Sequence, residues 1–104
     1  MNTPVIEEMP GRDDNCVFIG QRPTNAYVAA AMLVLNEGKE CIIKARGRAI
    51  NHAVDVAEVL RNRFMPGVTV KDMKIGTEKL AGSDGRDSQV SWIEIVLAPP
   101  NQEQ

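Results

Sequence analysis

The chain has 104 residues, 43% of them hydrophobic and 25% charged, with a formal net charge of −2. That length suits one domain with a single core, and the composition is that of an ordinary globular protein with no apolar run near the roughly 18 residues of a membrane span. The acidic balance weighs against a nucleic-acid binder, since such domains are usually strongly basic, but the acids are unevenly spread. Glu7, Glu8, Asp13 and Asp14 crowd residues 1–15, whereas between Ile19 and Ile50 the cations Arg22, Lys39, Lys44, Arg46 and Arg48 face only Glu37 and Glu40.

Residues 1–15 hold Pro4, Pro10 and Gly11 among their acids and show no periodicity, so a flexible acidic leader is expected. They carry no basic, apolar signal segment, which makes a cytoplasmic location the expectation. Cys16-Val17-Phe18-Ile19 is a short apolar run ended by Gly20, the pattern of a central strand buried on both faces. Pro23 suits the first helical position, with Arg22 as the neighbouring cap residue. The helix that follows is apolar almost all round from Ala26 to Leu35, which predicts burial against a sheet and against a second subunit. Asn36-Glu37-Gly38 closes it. Tyr27 and Met32 are read as core.

Cys41-Ile42-Ile43 predicts a second strand. Lys44 and Arg46 then share one strand face, Gly47 turns the backbone, and Arg48 opens a second helix. Its apolar positions are Ile50, Ala53, Val54, Ala57, Leu60 and Phe64, and its polar face is Asn51, Asp55, Glu58 and Asn62. Two helices therefore begin with an arginine after a glycine-containing turn and lack the acids that usually offset the helix dipole. A phosphate is the natural anion for such ends. Solvated edge charges would leave the same pattern at Lys44 and Arg46. His52 either touches phosphate or does nothing.

Pro66-Gly67 ends the second helix. Val68 and Val70 alternate, then Met73 and Ile75 in the opposite phase, which predicts a bulge near Lys71-Asp72 in a long strand. Lys79 to Asp87 reads as a hairpin arm with Asp84-Gly85 turn chemistry and Arg86 at its tip. In the last strand Ile93, Ile95 and Leu97 share one face, and Val90, Trp92, Glu94 and Val96 the other. Pro99-Pro100 stops it before a short tail. Cys16 and Cys41 sit in strands without ligand spacing, so buried thiols are expected in place of a disulfide, metal site or nucleophile. No triad, paired carboxylates or metal pattern accompanies them, so no enzyme, cofactor or small-molecule substrate is expected.

The order strand, helix, strand, helix, long hairpin, together with Lys44-Ala-Arg-Gly-Arg-Ala-Ile-Asn-His-Ala-Val-Asp-Val-Ala-Glu-Val-Leu-Arg-Asn-Arg-Phe64, closely resembles the archaeal Alba family of chromatin proteins. The resemblance runs over residues 16–98 through Ile75-Gly76-Thr77-Glu78, Asp84-Gly85-Arg86 and Ser91 to Leu97. It implies a small α/β sandwich in the order βαβαββ, with a four-stranded mixed sheet and two helices, like the C-terminal domain of translation initiation factor three. It also implies a homodimer that binds double-stranded DNA and RNA without marked sequence preference and helps package the chromosome in the nucleoid. A role on RNA, in RNase P-type particles or on messenger RNA, is the alternative. Carried over by position, the central basic patch falls on Lys44, Arg46 and Arg48, the first-loop pair on Gln21 and Arg22, and the arm arginine on Arg86, with His52 beside them. The dimer-to-dimer contact falls on Phe64, with Arg61 and Asn62. Gln21 stands where the family usually has a lysine, so a modest affinity is expected. On this reading residues 16–98 are the nucleic-acid-binding domain and 99–104 a C-terminal tail.

Overall fold

A computed structural model of the chain describes residues 15–82 and 85–100. The acidic leader up to Asp14, residues 101–104 of the tail, and Asp84 of the expected hairpin turn lie outside them.

The elements follow the order read from the pattern. Strand β1 (Cys16–Phe18) leads to helix α1 (Thr24–Asn36), strand β2 (Cys41–Arg46) and helix α2 (Ala49–Val59); a π-helical turn (Leu60–Phe64) then precedes the long strands β3 (Thr69–Ala81) and β4 (Asp87–Ala98). The sheet order is β1-β2-β4-β3, with β1 parallel to β2 and the other neighbours antiparallel. Strand β1 is therefore an edge strand, although its apolar run was read as central. Its burial comes from shortness and cover: Cys16 and Val17 are buried at the edge, and α1 packs over β1.

One side of the sheet carries the core. Alternation in β2 turns Cys41, Ile43 and Ala45 inward, and alternation in β4 does the same for Ile93, Ile95 and Leu97. Helix α1 closes this side with Tyr27, Val28, Ala30, Ala31, Val34 and Leu35, and α2 with Ala53, Val56 and Ala57. Val54, read as part of the apolar stripe, is 42% exposed, while Val56 is fully buried. The inward face is rotated by only a small part of a turn from the expected one, keeping Ala53, Ala57 and Leu60 and taking Val56 in place of Val54.

Gly47 turns β2 into α2 with φ +60, a region that other residues enter only at a cost. Its N–H donates to Ser91 O at 2.8 Å, so the turn is pinned to β4 before the helix begins. At the far end of α2 the backbone widens, and Met65 N–H donates to Leu60 O, an i to i+5 bond. That extra residue in the turn shifts the side-chain phase. Phe64 would follow Leu60 on the inner face of a plain α-helix; here Leu60 is fully buried and Phe64 is 49% exposed.

The predicted bulge is present, since the β3–β4 register slips between Val70 and Asp72, leaving Lys71 unmatched. Lys71 is instead held by Glu40, whose carboxylate keeps its ammonium above the usual lysine pKa. Beyond the bulge Met73 and Ile75 pair with Ile95 and Ile93, and before it Val70 pairs with Leu97, so all three face the helical side. The helices, however, pack on β1, β2 and β4. Val70, Met73 and Ile75 consequently form an uncovered apolar stripe, with Ile75 76% exposed.

Candidate functional site

Lys44 and Arg46 project from β2 on the side away from the helices, as their spacing predicts. Lys44 Nζ lies 3.7 Å from Glu94 Oε2 and 5.4 Å from the centre of the Phe18 ring. Arg46 Nη1 donates to Glu78 Oε1 at 2.7 Å. Register explains both pairs. Lys44 is directly opposite Glu94, whereas Arg46 is opposite Trp92 and reaches over β4 to Glu78 on β3, about two strand spacings of ~4.8 Å. The acids expected to face this cluster are engaged elsewhere: Glu37 pairs with Lys39 and Glu40 with Lys71. The exposed Arg46–Glu78 pair contributes only about 0–1 kcal/mol, and the half-buried Lys44–Glu94 pair is long at 3.7 Å, so a competing anion displaces them cheaply.

Trp92 lies flat on this face because Gly76, its partner on β3, has no side chain; a Cβ there would run into the indole. Phe18, Trp92 and the two ion pairs line an open cavity of about 370 Å³.

Arg22 and Arg48 are in a different setting. Among the described residues no carboxylate lies within ion-pair range of either. The backbone carrying Arg22 is shaped by Tyr27, whose buried hydroxyl accepts the N–H of Gly20 at 2.8 Å and of Arg22 at 3.1 Å. Pro23 occupies the N-cap of α1 with extended backbone, one position later than the pattern placed the cap, and Arg48 is the N-cap residue of α2. Neither start has a side-chain cap or an acid in its first turn, so both leave unpaired N–H groups and an uncompensated partial positive charge.

His52 brings the two starts together. Its Nδ1 lies 3.3 Å from Gly20 O and its Nε2 3.0 Å from Thr24 Oγ1, and its ring meets that of Tyr27 edge-on at 5.5 Å. A proton on Nδ1 donates to the Gly20 carbonyl while Nε2 accepts from the Thr24 hydroxyl, so the neutral ring satisfies both contacts. His52 thus fastens the first loop to the second helix. The rim it creates has Arg22 with the exposed Gln21 on one side and the exposed Arg48 on the other.

The family model described as Alba matches residues 15–77. The chain belongs to the Alba family. It is 51% identical to the DNA/RNA-binding protein Alba of Methanocella arvoryzae over 89 residues, covering 85% of this chain and 93% of that protein. It is 52% identical to the DNA/RNA-binding protein Alba 1 of Archaeoglobus fulgidus over 86 residues, covering 82% and 96%. Among solved structures, Alba from Thermoplasma volcanium superposes with a TM-score of 0.75 at 44% identity, covering 81% of this chain and 99% of that one. An Alba protein of Trypanosoma brucei superposes with a TM-score of 0.66 at 34% identity, covering 86% and 73%. The relatives from Methanocella arvoryzae and Archaeoglobus fulgidus bear the names of DNA/RNA-binding proteins, not of enzymes.

The other positions carried over from the Alba pattern sit apart from the rim. Arg86 is exposed in the hairpin turn, where its carbonyl accepts the Gly82 N–H at 2.7 Å. Phe64 stands out from the π-helical turn. Beside it Glu58 holds both Arg61, at 2.8 Å, and Asn62, at 3.3 Å. Both thiols are buried, and burial together with neighbouring Cys16 pushes the Cys41 thiol up to about 12, far from a reactive thiolate. Among the described residues no group of three His, Cys, Asp or Glu side chains could hold a metal, and no helix is long and apolar enough to cross a membrane.

Four residues of this candidate site escape a local reading of sequence. Glu78, Glu94 and Trp92 are recognisable only once β4 is placed between β2 and β3. The shared face of Trp92 and Glu94 is visible in their spacing, but its meeting with Lys44 and Arg46 is not. Tyr27 reads correctly as core, and nothing in its neighbourhood signals that its hydroxyl shapes a loop.

Proposed function

We propose that this protein is a non-enzymatic, largely sequence-independent binder of double-stranded DNA that works as a homodimer through phosphate contacts and helps package the chromosome. The observation that carries this reading is the rim at the paired helix starts: two arginines without carboxylate partners among the described residues, beside two N-termini with no side-chain cap, held together by His52. Phosphates of one strand meet Arg22 and Arg48 first. Lys44 and Arg46 join by exchanging Glu94 and Glu78 for phosphate, and Arg86 on the hairpin extends the contact along a groove, where narrow minor grooves favour guanidinium groups. The names of the relatives support the class of ligand.

The uncovered stripe Val70, Met73 and Ile75 supports the dimer, because an apolar strip left bare beside the core gains by meeting its own copy. Phe64, Arg61 and Asn62 then offer a second, smaller contact between dimers lying along one duplex. A modest affinity follows from Gln21, which adds no charge, and from the carboxylates already beside Lys44 and Arg46.

The test is binding to random duplex DNA across a series of salt concentrations. Each phosphate neutralised contributes about −0.9 to the log-log slope. Replacing Arg22 and Arg48 together by alanine should flatten the slope by about 1.8 per protomer's rim and weaken binding at low salt about tenfold or more. An unchanged slope would remove the rim from the interface.

A further inference from the structure

The open cavity on the sheet face is a weaker phosphate site than the rim, because a phosphate reaches its two cations only after displacing their two carboxylates. What it does offer is flat and mixed. Phe18 and Trp92 present half-buried aromatic rings, and the Trp92 indole is laid against the sheet by the missing side chain of Gly76. Glu78 and Glu94 supply acceptors on the same face, and Lys44 and Arg46 supply donors. Its volume of about 370 Å³ falls at the small end of ligand sites, which run from about 300 to 1,000 Å³. The uncovered stripe proposed for the dimer lies on the other side of the sheet, so pairing of two copies leaves this cavity open.

We infer that the cavity takes one unpaired nucleobase of a single-stranded RNA or DNA segment, stacked on Trp92 with its exocyclic amine donating to Glu78 or Glu94. This rests on the nucleic-acid reading above and gives it a second mode. A flat heteroaromatic ring with donors and acceptors around its edge matches a wall of rings bordered by paired charges and leaves both ion pairs in place, whereas a phosphate must break them. Stacking on aromatic side chains suits any base. The carboxylates add selectivity, since cytosine presents an amine where thymine presents a carbonyl. The flanking phosphates leave the cavity toward Arg48, which follows Arg46 through Gly47. A base inside a duplex cannot enter, so the cavity distinguishes unpaired strands from the duplex held at the rim.

Trp92 is the sole tryptophan of the chain, so its emission reports this one stacking event. The full-length protein is titrated with end-labelled oligo(dC), oligo(dT), an abasic strand of equal length and a duplex. Label anisotropy reads binding, and indole emission reads stacking. Oligo(dC) should quench the emission and bind more tightly than oligo(dT), while the abasic strand and the duplex, which reach only the phosphate contacts, quench it less. Trp92→Leu should weaken oligo(dC) about five- to a hundred-fold, the range of one lost stack, and leave duplex affinity in place. Replacing Glu78 and Glu94 by glutamine should erase the preference for oligo(dC). Equal quenching by the abasic strand or duplex, or bound oligo(dC) without quenching, overturns the site and leaves the rim standing. Absence of binding by every nucleic acid overturns both. If Trp92→Leu does not fold, the quenching comparison on the unaltered protein decides.

Discussion

Arg46 and Arg48 are separated by a single glycine, yet they live in different electrostatic surroundings. Arg46 ends a strand and lies across the sheet against Glu78 at 2.7 Å, whereas Arg48 caps a helix with no carboxylate in reach among the described residues. Lys44 and Arg22 repeat the contrast: the first sits over Phe18 beside Glu94, the second on a loop held by Tyr27 and His52. Counting positive residues therefore misjudges a basic surface. What matters for a polyanion is how much charge remains after the protein has answered its own cations, and among the described residues Arg22 and Arg48 keep theirs at the rim.

The sharpest break of that contrast comes from assembly. If the stripe on β3 joins two copies, both rims act on one duplex and gain from linkage, which is worth about 10²–10⁴ in avidity. Ile75→Asp should then leave monomers in sedimentation and weaken duplex binding about a hundred-fold, with quenching of Trp92 by single strands retained. Next comes the direct comparison of the two arginines. Arg48→Ala should weaken duplex binding about tenfold and Arg46→Ala about threefold, both visible in the salt dependence, because Arg46 must first give up Glu78. Equal losses would show that the ion pair does not discount Arg46. Adding a cation at the rim works in the opposite direction: Gln21→Lys should tighten duplex binding a few-fold and steepen the salt slope by up to about 0.9. The smallest effect concerns the scaffold. Tyr27→Phe removes the acceptor for two backbone N–H groups and should cost about 1–3 kcal/mol in denaturant unfolding, with a shallower loss of duplex affinity that follows the loosened Arg22 loop.

Local patterns carried much of this architecture. The alternation of Ile93, Ile95 and Leu97, the phase change that marks the bulge at Lys71, the turn at Gly47 and the two acid-free helix starts are all properties of neighbouring residues, and all are present. The sequence pattern placed the cations correctly as well, since a strand spacing of two puts Lys44 and Arg46 on one face. It could not show their counter-charges. Glu78 lies 32 residues from Arg46, and only strand order and register bring them together. The same limit hid the edge position of β1, because an apolar run is equally compatible with a central strand and with a short, covered edge. His52 offered two outcomes to a sequence reader, phosphate contact or nothing, and the structure adds a third: it clamps the loop that presents Arg22.

The widened turn at Leu60–Phe64 has an evolutionary consequence. It accommodates one residue more than an ordinary helix would, so a single-codon deletion within it would restore α-helical phase and swing the Phe64 ring toward the interior. A surface aromatic held out by backbone spacing is insensitive to most substitutions around it and acutely sensitive to one change of length. Among related chains, the count of residues between Leu60 and Pro66 should therefore predict which of them can present an aromatic ring at this corner.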